Sequence, residues 1–105
     1  MGLLLSIAAP RYARHLDEAR EVTLHQDLRQ MRDAVDQFKA DQARPPASLV
    51  ELVDAHYLRE VPLDPMTQRA DGWHVDTALD GTPGIVDIHS GAPGLGLDGT
   101  AYASW

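Results

Sequence analysis

Cysteine is absent from the sequence, which excludes a disulfide framework, a thiolate metal site and a cysteine nucleophile. A long hydrophobic run is also absent. The uncharged stretch of residues 2–9 is far shorter than the roughly 20 apolar residues needed to cross a bilayer. No basic residues precede that stretch and no cleavage-site loop follows it, so it is a poor secretory signal.

Basic residues are few: nine Lys and Arg stand against sixteen Asp and Glu, which gives a net charge of −7. They are scattered rather than gathered into a patch, so no nucleic-acid partner is expected. The 105 residues, 44% of them hydrophobic, allow one domain with one modest core.

A tract without glycine or proline runs over residues 11–44 and predicts a long helix that ends near Arg44, because Pro45-Pro46 cannot continue it. Charged residues fill most of its surface, and Arg32 has the spacing to pair with Asp36. One face is apolar at intervals of four, three, four and three residues, formed by Leu24, Leu28, Met31, Val35 and Phe38.

The apolar stretch 1–9 precedes this amphipathic part, 11–42, within an N-terminal helical unit 1–44. Three interpretations of this stretch are considered: the start of a core helix, a frayed terminus, or part of a longer hydrophobic helix whose beginning the sequence lacks. The third interpretation is favoured, because nothing nearby in the sequence covers these leucines.

Residues 45–105 are predicted to form a head packed on the helix, in one domain overall. Ser48 and Glu51 have the spacing of a capping box and predict a short second helix, which Tyr57-Leu58 close onto the long one. Val61–Pro65 reads as an extended connector.

Alternating residues then predict two strands of an antiparallel hairpin, the second over Ile85–His89. Its apolar face is expected to bury the helix stripe and consists of Trp73, Val75, Val86 and Ile88. After Ser90, four glycines indicate an irregular loop anchored by its aromatic end, Tyr102 and Trp105. The fold class is therefore α+β.

Four polar residues share the other face of the hairpin: His74, Asp76, Asp87 and His89. Two imidazoles and two carboxylates suit a transition metal, although cross-strand pairs on a solvated face explain the same pattern. No nucleophile–base arrangement or phosphate loop is recognisable, so an enzyme is not expected.

The order of features carries a resemblance over essentially the whole chain. Residues 2–11 read Gly-Leu-Leu-Leu-Ser-Ile-Ala-Ala-Pro-Arg, and the most specific part runs from Phe38 to Pro65, with Pro46-Ala47-Ser48-Leu49, Tyr57-Leu58 and Pro62-Leu63-Asp64-Pro65 in succession. This resembles the type IV pilin-like proteins, most closely the major pseudopilin of bacterial type II secretion systems.

The resemblance implies a non-enzymatic filament subunit, held in the bacterial inner membrane by a single N-terminal helix and carrying its head in the periplasm. Implied partners are copies of itself, other pseudopilins and inner-membrane secretion components. Packing between helices would use the apolar stretch and the kink after it: Leu3, Leu4, Leu5, Ile7 and Pro10. The alternatives are a minor type IV pilin, or a periplasmic binding or adaptor module that uses the sheet face and the C-terminal loop.

Two departures from the family pattern stand out. The leader, its processing site and the acidic residue near the mature N-terminus are missing, as if the sequence began inside the mature helix. The family also often binds calcium through several acids in the C-terminal loop, where this chain has only Asp98. Calcium at Asp98 is thus possible by resemblance alone, and a metal-free loop is the preferred expectation.

Overall fold

A computed structural model describes the backbone of residues 2–105 and the side chains of residues 14–105. The elements in chain order are helix α1 (Gly2–Gln42), helix α2 (Leu49–Asp54), strand β1 (His74–Thr77), strand β2 (Ile85–His89) and a final 3-10 turn (Tyr102–Ser104). The α+β fold predicted from the sequence is confirmed. The expected packing residues Leu3, Leu4, Leu5, Ile7 and Pro10 lie outside the side chains that the structure describes.

Helix α1 buries its predicted apolar face almost completely. Leu24, Leu28 and Met31 are fully buried, and Phe38 is 2% exposed. The helix ends because Ala43 adopts a left-handed backbone with φ of 57°, and its amide bonds to the Lys39 carbonyl at 3.0 Å. The end thus falls just before Arg44, as expected.

Helix α2 begins at the predicted cap, where the Ser48 hydroxyl accepts a hydrogen bond from the Glu51 amide at 3.2 Å. In a standard capping box the Glu51 carboxylate would accept a hydrogen bond from the Ser48 amide. Here it accepts one from the Ala47 amide instead, at 2.9 Å. Arg44 donates to the same carboxylate at 2.8 Å. Cap and ion pair together fix α2 against the end of α1.

Strands β1 and β2 form the antiparallel hairpin, but its register breaks between Asp76 and Thr77. His74 pairs with His89 and Asp76 with Asp87, whereas Thr77 pairs with Ile85 and leaves Val86 without an opposite residue. The bulge places Ile85 in the core beside Ile88. The prediction that Val75 and Val86 are buried is wrong, since they are 44% and 45% exposed. The bulge accounts for Val86, whereas Val75 lies before the bulge, opposite Ile88, and borders an open groove.

The connector is held by a fully buried carboxylate, Asp64. Its oxygens accept hydrogen bonds from the Met66 amide at 2.8 Å and from the Ser90 hydroxyl at 2.5 Å. Burial, together with the charge of Asp64, raises the pKa of Asp27 on the neighbouring face of α1 above its ordinary value. The buried hydrogen bond from Ser90 to Asp64 thus connects the start of the tail to the connector.

The tail after Ser90 lies along α1. Glu21 of the helix accepts from the Leu97 amide at 2.8 Å and from the Tyr102 hydroxyl at 2.9 Å. The indole of Trp105 stacks on the His25 imidazole, with ring centroids 4.2 Å apart and planes 5° apart. The expected aromatic anchor is present, and the tail also contains one turn of 3-10 helix that its glycines did not suggest.

Candidate functional site

Three of the four polar residues expected on the outer sheet face come together at the centre of the hairpin. His89 Nε2 lies 2.8 Å from Asp76 Oδ2 and 3.5 Å from Asp87 Oδ2. The pairing of Asp76 with Asp87 across the strands explains this convergence, because side chains at paired positions share one face. The fourth residue, His74, pairs with His89 through the backbone but does not belong to the group that converges.

Arg32 of α1 joins this group from the helix side. Its Nε donates to Asp87 Oδ1 at 2.9 Å, and its Nη2 donates to the backbone oxygens of Ile88 at 2.7 Å and Trp105 at 2.6 Å. The predicted local pair of Arg32 with Asp36 is not the contact observed. We call Arg32, Asp76, Asp87 and His89 the junction cluster, since it connects helix, sheet and tail.

Polar contacts in the junction cluster engage both nitrogens of the His89 ring. His89 Nδ1 lies 2.8 Å from the Trp105 backbone oxygen, which can only accept, while Nε2 faces a carboxylate. Both nitrogens act as donors only in the doubly protonated ring. Arg32 and His89 thus both contact acceptors on the sheet and on the Trp105 backbone oxygen, which connects helix, sheet and tail.

A metal ion at the sheet face would have to compete with these contacts for its ligand atoms. Asp76, Asp87 and His89 can each direct one ligand atom to a common point, which is the minimum for a three-ligand site. The Nδ1 contact to a backbone oxygen is also the kind of second bond that orients a histidine ligand. However, Asp87 Oδ1 already accepts a hydrogen bond from the Arg32 guanidinium, and His89 Nε2 already contacts Asp76 Oδ2.

Asp98 lies elsewhere, in the tail beside the N-terminal part of α1. Its Oδ1 accepts from the Thr100 amide at 2.9 Å and from the Thr100 hydroxyl at 2.6 Å. The hydroxyl bond, followed by the amide bond, holds the pKa of Asp98 below its usual range. No histidine or second carboxylate joins Asp98 in a possible metal group within the described part of the chain.

Sequence reasoning missed two members of this region, Arg32 and Trp105. Their contacts join residues 55 and 73 positions apart. The periodicity of a sequence reports contacts within one helix or strand and cannot predict such distant contacts. The only sequence signal for them was the presence of opposite charges on the helix and the strand.

Comparison with protein-family models, with curated proteins and with solved structures finds no match to this chain. Over the residues that the structure describes, no helix has both the length and the apolar character needed to span a membrane.

Proposed function

We propose that this protein is a non-enzymatic structural subunit of a type II secretion pseudopilus. In this function it is anchored in the bacterial inner membrane by the N-terminal helix of the full gene product, with the head in the periplasm. Its partners are copies of itself, other pseudopilins and inner-membrane secretion components. The resemblance in feature order between Phe38 and Pro65 is the sequence basis of the proposal.

One structural observation best supports the proposal: within the part of α1 whose side chains are described, residues 14–42, the head covers the helix from about Glu21 onward. Among these side chains Glu21 is the first that bonds to the head and Leu24 the first that is buried, while residues 14–19 are all exposed. The molecule is consequently elongated, with extents of 61 × 27 × 19 Å. A helix that projects beyond its own head leaves a surface for neighbouring helices, as a filament subunit requires.

The test uses the natural gene product in a bacterium that carries a type II secretion system. We expect it to fractionate with the inner membrane and to enter filaments that can be sheared from the cells. Leu5→Asp should abolish the filaments while the purified variant protein keeps its melting temperature. Leu63→Asp, on a head residue that is 61% exposed, is the matched control and should leave assembly intact. A soluble, monomeric gene product, or normal filaments from the Leu5 variant, would refute the proposal.

A minor type IV pilin would pass the membrane and filament tests, so the amount of subunit in the filament distinguishes it. A trace amount at one end would favour the minor pilin, and a stoichiometric amount along the length would favour the major pseudopilin.

A second candidate is a periplasmic binding or adaptor module with a metal in the sheet face. The convergence of Asp76, Asp87 and His89 is the observation that favours it. Calorimetry with zinc, nickel or copper alone tests the idea, with His89→Gln as the variant and His74→Gln as the control. Absence of saturable, His89-dependent binding removes this candidate.

A further inference from the structure

The outer edge of β1 has no strand beside it. The sheet consists of β1 and β2 over the described residues, so only one edge of β1 is paired. All four residues of β1 are exposed, and α1 packs against β2 rather than against β1. An unpaired strand edge carries free amide and carbonyl groups that can accept a further strand.

Apolar side chains line hollows on the sheet surface that adjoins this edge. A groove of about 430 Å³ opens between α2 and the inner side of β1, and a second hollow of about 610 Å³ continues past Val75 toward the hairpin turn. We call their apolar lining the β1-edge surface, which comprises Val50, Val61, Trp73, Val75, Leu79 and Val86. Val50 is 59% exposed and Leu79 fully exposed, although burial of either would be favourable.

Acidic residues outnumber basic residues around the β1-edge surface. Residues 45–105 contain nine of the sixteen acids but two of the nine basic residues, and no Lys or Arg follows Arg69. Arg69 is itself bonded to Asp71 at 2.8 Å. Asp76 and Asp80, on and just after β1, are both exposed. The edge therefore presents apolar pockets within a negative field.

We infer that the β1 edge binds an extended segment of a different protein, with apolar and basic residues in alternation. The segment pairs with β1 as a third strand, which places alternate side chains on opposite faces. One set fills the groove beside Trp73 and Val75, and the basic set approaches Asp76 and Asp80. A second copy of this chain is the wrong occupant, because pairing two β1 edges brings like charges together. This inference goes beyond filament assembly and does not depend on it.

The experiment measures binding of a short labelled peptide that alternates valine with lysine, by fluorescence anisotropy and by amide chemical shifts of the full chain. The matched probe replaces each lysine with glutamate. We expect saturable binding of the lysine peptide with shifts centred on His74–Thr77, and no binding of the glutamate peptide. Higher salt should weaken the binding.

Variants separate the groove from general charge. Val75→Lys and Val50→Lys should each weaken the binding of the lysine peptide by about tenfold or more. Val22→Lys is the control. Val22 is 56% exposed on α1, so this substitution adds the same charge at a surface position away from the edge. Val50 lies on the surface of α2, so that variant keeps the test valid if Val75→Lys fails to fold.

Three outcomes overturn the inference. The first is the absence of saturable binding up to about 1 mM. The second is equal weakening by Val22→Lys, which would show attraction to net charge alone. The third is dimerisation of the free protein in sedimentation that Val50→Lys or Val75→Lys abolishes, which would assign the edge to a second copy.

Discussion

The Arg32 guanidinium and the Asp87 carboxylate meet at 2.9 Å and join α1 to β2 across 55 residues of sequence. The same guanidinium reaches the Trp105 backbone oxygen at 2.6 Å, so one side chain holds three separate segments. Both partners are partly exposed, with 35% and 43% of their side-chain surface accessible. Such a pair stabilises through geometry and shared hydrogen bonds more than through charge alone.

Arg32→Ala should lower the free energy of unfolding by about 2–3 kcal/mol, because it removes three hydrogen bonds that Arg32 donates to Asp87, Ile88 and Trp105. Urea denaturation measures the loss. Arg29→Ala, on an exposed position of the same helix, is the control and should change stability by less than about 0.5 kcal/mol. Similar losses for both variants would show that the junction cluster contributes little.

Much of the fold was predictable because its signals are local. The stripe that includes Leu24 and Phe38 follows helical spacing, and the prolines after Arg44 end the helix by backbone chemistry. The Ser48 cap was also readable, since a hydroxyl in front of an apolar run satisfies a helix amide.

The errors arise where distant contacts overrule local pattern. Strict alternation pointed Val86 inward, but the bulge moves Ile85 there instead, and nothing in the strand sequence marks a bulge. Arg32 had a suitable local partner in Asp36 and bonds to Asp87, which offers backbone oxygens beside it. The candidate site was therefore predicted in its strand residues and missed in its helix and tail residues.

Asp27 carries a cost of burial that should depend on pH. Since burial and then Asp64 raise the pKa of Asp27 in the folded state, folding favours the protonated form. The stabilisation that folding gains from protonated Asp27 is full below the ordinary pKa of 3.8, and it is lost as the pH rises through the pKa of Asp27 in the folded state. Asp27→Asn should thus raise the melting temperature at pH 7, with the gain shrinking toward pH 3.8. Asp33→Asn, at an exposed helix position, is the control, and a pH-independent gain at Asp27 would contradict the argument.

The phenol of Tyr102 should lose its proton at a higher pH than an ordinary tyrosine does. Burial raises the pKa of its phenol to about 12, assisted by its hydrogen bond to Glu21 and by the charges of Glu21, Asp17 and Asp98. Its contribution to stability is complete below the ordinary value of 10 and is lost as pH rises from there through about 12. Ultraviolet titration of the protein against Tyr102→Phe isolates this phenol.

Glu21→Gln should lower the pKa of Tyr102 while leaving it above 10, because burial remains. Glu18→Gln, on an exposed neighbouring turn, is the matched control. An unchanged titration in the Glu21 variant would show that the hydrogen bond does not influence the phenol.

Calcium at Asp98 is the point on which the family resemblance and the residues disagree. Calcium takes about six to eight oxygen ligands, usually with several carboxylates. In the tail, Asp98 Oδ1 already accepts two bonds from Thr100, whose hydroxyl oxygen accepts from the Trp105 indole at 2.7 Å. The turn closes through Gly99, whose amide bonds to the Gly96 carbonyl at 3.0 Å. Side chains thus organise this loop in the way that calcium would.

We therefore expect the melting temperature to be the same in millimolar calcium and in chelator, with magnesium as the control for ionic strength. Thr100→Val should lower it under both conditions, because the valine removes the hydroxyl that links Trp105 to Asp98. Asp98→Asn should have a smaller effect, since the amide oxygen can still accept from the Thr100 amide. A calcium-specific rise in melting temperature that disappears in Asp98→Asn would establish the metal site instead, and backbone oxygens of the loop would then have to supply most of its ligands.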